Sequence, residues 1–260
     1  MVVHLYTLCW NEEDIIPYVL QYWERIRSEV ELHVVVFDNG STDKSLGLLS
    51  PYGWIEVRHF DTDGMNDIVQ KSIKNSCWKE SKGKCDFVIV CDMDEVLYSN
   101  CFKEVLDEMK VSGCNIMGTK WYAFCGDKMP VYSPDVLLHE QVKYGYTQYV
   151  NHTQQWGGLG KFMLFDPNLV DDMNWSVGNH VSHPVPSADV FYTDKVVAFH
   201  INKGFSEDYF VQRRQYMYKR LSETNKKGGL CYEYGYSEEQ MRNEYRGYQK
   251  RSIDISFLLK

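Results

Sequence analysis

The chain of 260 residues contains no apolar run approaching the roughly eighteen residues that a membrane-spanning helix needs, so no such span is expected. Residues Met1 to Trp10 run directly into a strand-like pattern, with no basic start and no cleavage site, which excludes a secretory signal in that stretch. The eight cysteines are scattered and never form C-x-x-C, so neither a zinc framework nor a disulfide framework is indicated. A soluble cytoplasmic protein with reduced thiols is the expectation. Basic residues are also in deficit: 28 Lys and Arg stand against 36 Asp and Glu, a net charge of -8 that argues against a nucleic-acid binder. No internal repeat or low-complexity tract interrupts the chain.

The charge is unevenly spread. From Lys203 onward twelve Lys and Arg face eight Asp and Glu, leaving the acidic excess in the first 202 residues. Arg213, Arg214, Lys219 and Arg220 fall on one predicted helix. A solvated face is the expected role for them, with an anionic substrate or peripheral contact with a membrane surface as the alternative.

What is present is an alternating pattern. Val2–Leu8, Leu32–Phe37, Trp54–Phe60 and Asp86–Cys91 read as strands, separated by helical stretches at Glu12–Arg27, Asp43–Leu49 and Asn66–Lys79. Four β segments with helical connections in so short a span predict an α/β fold with a parallel, doubly wound sheet. Beyond Asn100 the pattern loosens into a helix at Phe102–Lys110, a strand at Asn115–Ala123 and an aromatic, loop-rich stretch to about Val196. Helices at Glu207–Thr224 and Glu238–Arg251 close the chain. With 44% hydrophobic residues, one large domain is favoured over two small ones.

The strand ends carry the chemistry. The run Phe87-Val88-Ile89-Val90-Cys91 stops in Asp92-Met93-Asp94-Glu95, three acids that repel one another unless a cation or a proton shares them. Oxygen ligands without Cys or His in the cluster point to Mg²⁺ or Mn²⁺, ions that work on phosphates. A strand end with solvated acids is the plain alternative. The other three strands end at Asn11-Glu12, Asp38-Asn39 and Asp61, and in open parallel sheets ligands bind at the carboxyl ends of strands. A polar, acidic, metal-competent cleft is therefore expected. In Asp38-Asn39-Gly40-Ser41-Thr42-Asp43, Asn-Gly marks a turn and Ser41 or Thr42 can cap the next helix. Asp38 is also placed to accept a ring N–H from a uracil or guanine base, and Gly40 to let backbone approach a ligand.

The order Trp10-Asn11-Glu12-Glu13, then Asp38 to Asp43, then Asp92-Met93-Asp94-Glu95 resembles glycosyltransferase family 2 and related inverting enzymes of the GT-A fold. A downstream His200-Ile201-Asn202-Lys203 segment, with Trp121 to Gly126 and Gly160-Lys161-Phe162 between, is similar to later elements of the same group. The resemblance implies a mostly parallel Rossmann-like sheet and a catalytic domain over 1–225. Its donor half would span about 1–100 and its acceptor and metal half 101–225, with 226–260 a helical extension. It also implies a nucleotide-sugar donor, UDP-linked ahead of GDP- or dTDP-linked, and a glycan acceptor. Asn11, Glu12, Asp38 and Asp61 would line the nucleoside. Asp92 and Asp94 would hold Mn²⁺ or Mg²⁺ against the diphosphate, with His200 a third ligand and Lys203 neutralising the leaving group. His180 and His183 have ligand-like spacing but lack a nearby acid, so they rank below His200.

Inversion requires a general base opposite the leaving group. Glu140 is favoured for that role over Asp127, and an ordinary surface acid is the alternative for each. Phe, Trp and Tyr make up 15% of the chain and crowd its middle, where rings with polar edges suit sugar faces. Trp121 and Trp156, beside Gly-containing loops, are the acceptor candidates; filling the core is the competing role. Two other functions compete. Val88 to Leu97 also resembles the first motif of haloacid-dehalogenase-like phosphatases, with Asp92 as nucleophile and Thr119, Lys161 and Asp171-Asp172 as partners. A non-catalytic nucleotide-sugar or carbohydrate-binding module is the other.

Overall fold

A computed structural model describes residues 1–147, 161–201 and 204–259. Four parallel strands form its central sheet: β1 (Val2–Cys9), β2 (Glu31–Asp38), β3 (Ile55–His59) and β4 (Phe87–Asp92), in the order β3-β2-β1-β4. All five apolar residues of β4 are at most 2% exposed, because β1 lies on one side, further strands on the other, and side chains pack on both faces. Strands buried in this way read as unbroken apolar runs, and each fully buried large side chain contributes roughly 1.5–3 kcal/mol.

The helices between them follow from local chemistry. In α1 (Ile16–Glu29), Pro17 occupies the first turn, where its missing N–H costs nothing, and Ile16, Val19, Leu20, Trp23 and Ile26 form one buried stripe. The short α2 (Ser45–Leu49) follows β2. The next helix, α3 (Asp67–Ser76), is capped by the Asn66 side chain, which accepts from Ile68 N and Val69 N at 3.2 Å each.

Beyond β4 the chain turns back as β5 (Glu95–Tyr98), a strand absent from the sequence expectation, and continues through α4 (Phe102–Ser112), which stops at Gly113 in the left-handed region. The second half of the sheet is built from β6 (Ile116–Phe124), β7 (Tyr144–Thr147), β8 (Leu164–Phe165) and β9 (Val190–His200), with the one-turn α5 (Leu138–Gln141) before β7. There β9 runs parallel to β6 and antiparallel to β5, so Glu95 faces His200 and both lie beside the end of β4.

The predicted helix Glu207–Thr224 is two helices, α6 (Glu207–Lys219) and α7 (Glu223–Gly228). Ser222 caps the second, and Met65 inserts a β-bridge at Leu221 between them. The last helix, α8 (Glu238–Arg251), opens with a capping box between Ser237 and Gln240, and β10 (Ile253–Asp254) pairs with β7. Residues 226–259 are not set apart from the rest. Met241 and Tyr245 of α8 share a buried cluster with Phe210 and Val211 of α6 and with Ala123 and Cys125, and the Tyr245 hydroxyl donates to Gly126 O at 2.7 Å.

Candidate active site

A cavity of about 230 Å³ opens at the carboxyl ends of β1, β2 and β4. Trp10 and Glu12 reach it from the end of β1, Asn39 and Phe60 from the ends of β2 and β3, and Asp92, Asp94 and Glu95 from the β4–β5 turn. Helix α6 roofs it with Arg213, Arg214 and Met217, Arg220 follows at the helix end, and Cys231, Glu233 and Tyr234 close the side.

The three acids of the β4–β5 turn have separate fates. Lys161 donates to both Glu95 oxygens, at 2.7 and 2.8 Å, and to Asp92 Oδ2 at 3.0 Å, while Lys74 from α3 pairs with Asp92 Oδ1. Burial alone would raise the Asp92 carboxyl, but Lys161 and then Lys74 overcome it and hold the group far below the usual carboxylate range. Asp94 turns away from both lysines and meets His200, with Oδ2 3.1 Å from Nε2. Burial is again the largest influence, opposed by His200, and the net direction for Asp94 is downward.

The first two strand ends are tied together. Asn11, at a positive φ of 49°, accepts from Thr42 N at 2.7 Å and donates to Tyr216 OH at 2.6 Å. Asp38 is 1% exposed and accepts from Gly40 N at 3.1 Å and Ser41 N at 3.2 Å, with His59 Nδ1 at 3.3 Å. Both oxygens of Asp38 thus organise its own loop. Arg213 donates to Asn11 O at 2.8 Å and pairs with Glu12. Burial pushes the Glu12 carboxyl up to about 8 against the opposing pull of Arg213.

The sequence of residues 6–167, more than half of the chain, matches the model of Glycosyl transferase family 2. The chain belongs to that family. The matched stretch contains all four strand ends described above. Comparison with curated proteins finds no match. Among solved structures, S. aureus TarS superposes with a TM-score of 0.48 at 14% identity, covering 94% of this chain and 43% of that one. TarS 1–349 in complex with UDP-GlcNAc gives 0.44 at 14% identity, with 94% and 71% covered. The mannosyltransferase PcManGT from Pyrobaculum calidifontis, in complex with GDP-Man and Mn²⁺, gives 0.45 at 14% identity, with 82% and 61% covered. The chain thus spans less than half of the length of the first of these.

Membership of the glycosyltransferase family displaces the phosphatase alternative. Of the partners nominated for a nucleophilic Asp92, Lys161 does contact it, but Asp171 and Asp172 pair with Lys82 and Lys79 on the surface, so the further acidic pair is not at the site. For a member of this family a divalent cation is the implied cofactor. Among the described residues no three His, Cys, Asp or Glu side chains are grouped to hold one. Asp94 and His200, 13% and 10% exposed, nevertheless present a carboxylate and an imidazole side by side at the cavity. Two protein ligands fit an ion whose remaining positions are filled by phosphate oxygens and water.

Other expected site residues fall elsewhere. Asp61 is exposed and does not line the cavity. Glu140 is exposed on α5, outside the cavity, because that single turn buries Leu138 and His139 and leaves position 140 outward. Asp127 lines a second pocket of about 500 Å³ and accepts from Gln249 Nε2 at 3.0 Å. Trp121 is corrected from an acceptor platform to a core residue: it is 3% exposed, and its indole N–H donates to Lys161 O at 3.1 Å. His180 lines the cavity while His183 does not. Trp156 and Lys203 lie outside the described residues.

The solvated-face expectation for the basic helix is also corrected. Arg213 and Arg214 turn inward to Glu12 and Glu244, Arg220 packs over the Trp10 ring at 3.8 Å, and only Lys219 of the four is exposed. Among the described residues no helix is long and apolar enough to cross a membrane. Lys74 is the residue that sequence reasoning missed; Arg213 and Arg220, weighed for an anionic substrate only as the alternative to a solvated face, line the cavity. The one available signal was Lys74 on the inner face of an amphipathic helix, an expensive position for an unpaired ammonium.

Proposed function

We propose that the chain is a metal-dependent, inverting transferase that moves a sugar from a nucleoside-diphosphate donor, UDP-linked first among those to test, to a hydroxyl of a glycan acceptor. The observation that carries this reading is the Asp94–His200 pair opening into the same cavity as the β1 and β2 strand ends. Asn11, Glu12 and Asp38 shape the nucleoside end, directly or through the loops they fix. Bound at Asp94 and His200, Mn²⁺ or Mg²⁺ supplies Lewis-acid neutralisation of diphosphate charge. Asp92 supports that site from the side, its own charge balanced by Lys74 and Lys161. Lys203, three residues beyond His200 in sequence, is a further cation for the leaving group.

The acceptor oxygen attacks the anomeric carbon in line as the bond from that carbon to the diphosphate oxygen breaks. The hydroxyl proton passes to a carboxylate. Asp127 replaces Glu140 as the preferred base, because it lines a pocket beyond the end of β6, whose Ala123 pairs with His200. All eight cysteines are free thiols, which supports a cytoplasmic setting.

A thermal-shift panel of UDP-, GDP- and dTDP-sugars with MnCl₂ or MgCl₂ tests the donor reading. At least one sugar nucleotide should raise the melting temperature, and Asp94→Ala should abolish the shift. No shift with any of them sinks the proposal. Asp127→Asn should cripple transfer with donor binding near normal; undiminished turnover removes Asp127 from the role.

A further inference from the structure

Three arginines line the cavity, and two already have carboxylate partners. Arg213 pairs with Glu12, and Arg214 donates to Glu244 Oε1 at 3.0 Å. Arg220 has no ion pair among the described residues. Its Nη2 donates to Asn39 O at 2.6 Å and to Asn39 Oδ1 at 2.5 Å, both uncharged acceptors. The N–H groups of Nε and Nη1 have no protein acceptor among the described residues. A partly buried guanidinium without a counter-charge is an unfavourable arrangement unless an anion completes it. Burial lowers its pKa to about 10, with Tyr216 and Asp38 pulling the other way, so it remains a cation at neutral pH.

The position is built to hold that side chain in place. The break between α6 and α7 sets Arg220 at the helix end, where Met65 N donates to Arg220 O at 2.7 Å and Ser222 N donates to Met65 O at 3.0 Å. Gly64, at φ +131°, passes so close that a Cβ there would lie 2.2 Å from Arg220 O. The guanidinium rests 3.8 Å above the Trp10 ring, and that ring stacks on Tyr216 with centroids 5.0 Å apart. Backbone and side chain are both fixed before any ligand arrives, so little ordering entropy remains to be lost on binding.

We propose that Arg220 receives the diphosphate of the donor, its Nε and Nη1 groups donating charge-assisted hydrogen bonds to phosphate oxygens. This rests on the donor reading above. It adds to the metal and Lys203 a phosphate-binding cation supplied by the segment that follows residue 167, where the family match ends.

Calorimetric titration of wild type, Arg220→Gln and Arg220→Lys tests it, using UDP, GDP, uridine, guanosine and inorganic pyrophosphate, each with MnCl₂ present. Arg220→Gln should weaken the better-bound nucleoside diphosphate and pyrophosphate by roughly tenfold or more while changing the matching nucleoside by less than about twofold. Arg220→Lys keeps the charge and should recover part of that loss, which separates the effect from misfolding. Equal losses for diphosphate and nucleoside, or an unchanged diphosphate affinity, overturn the assignment and leave the donor reading intact. A wild type that binds none of the nucleotides overturns the donor reading itself.

Discussion

Replacing Lys161 with methionine isolates the buried charge cluster behind the cavity. The Lys161 and Glu95 side chains are 2% and 1% exposed, and the ammonium donates to both Glu95 oxygens at 2.7 and 2.8 Å. Methionine fills much of the same volume but removes the charge, leaving Glu95 with only the Asp92 amide, at 2.9 Å, among its donors in the cluster. Breaking a buried pair from one side costs about 3–5 kcal/mol, because the remaining charge is stranded in a medium that solvates it poorly. A domain of this size moves by about 2–4 °C per kcal/mol, so the melting temperature should fall by roughly 6–20 °C. Urea unfolding gives the free energy directly. Adding Glu95→Gln to Lys161→Met should restore part of the loss, since the amide no longer needs a counter-charge, whereas independent effects would simply add. A single-mutant loss below about 1 kcal/mol, the range of exposed pairs, would refute the reasoning. So would strict additivity.

Three further outcomes follow from the same geometry. The folded Asp92 carboxyl sits below its ordinary value of 3.8, so its stabilising contribution is complete above that pH and disappears as pH falls toward the folded value. Urea midpoints between about pH 5 and pH 2 should therefore decline more steeply in wild type than in Asp92→Asn, and equal slopes would contradict the two-lysine clamp. Gly64→Ala should destabilise the fold by about 1–3 kcal/mol and weaken nucleotide binding although Gly64 does not line the cavity, because the Cβ collides with Arg220 O; unaltered melting and binding would show that the contact relaxes freely. Ending the chain after Asn225 should uncover Phe210 and Val211, now 1% and 3% exposed, and abolish cooperative unfolding. A soluble truncated form with a sharp transition would establish 226–260 as a true appendage.

The parallel core was legible because burial on both faces leaves no room for polar alternation: β4 is apolar at every position until Asp92. The Asp94–His200 pairing was legible from the order of the blocks, although no spacing rule places residues that are 106 apart in sequence within 3.1 Å. Glu95 was misread for the same reason in reverse. As sequence it extends a metal-like acidic cluster, and only Lys161, 66 residues onward, makes it a buried structural acid. For Arg213 and Arg220 a solvated face was favoured over contact with an anionic substrate because a helical charge pattern reveals which side chains share a face and says nothing of what that face meets. The break between α6 and α7 was equally hidden, since it depends on a bridge from Met65 and not on a helix-breaking residue. Trp121 looked like a ligand platform beside a glycine loop; two flanking strands and the 161–165 segment bury it.

These misreadings change the electrostatic character expected of the cleft. Four polar strand ends in a chain of net charge -8 suggested a strongly acidic pocket, which would repel a diphosphate unless a metal overcame the field. Most acids of the assembled site have partners, although Asp67 and Glu233, which also line the cavity, form no ion pair among the described residues. Asp92 and Glu95 are matched by Lys74 and Lys161, Glu12 by Arg213, Asp94 by the His200 contact, and Asp38 by two loop amides and His59. With those carboxylates engaged, Arg220 contributes a charge that no acid of the described residues cancels by direct contact. An anion entering the cavity therefore meets Glu12, Asp92, Asp94 and Glu95 already committed to neighbours and a cation that gains by its arrival. That ordering of charges favours a phosphate-bearing ligand over a neutral one, and it arises only when the segment after residue 200 folds back across the strand ends.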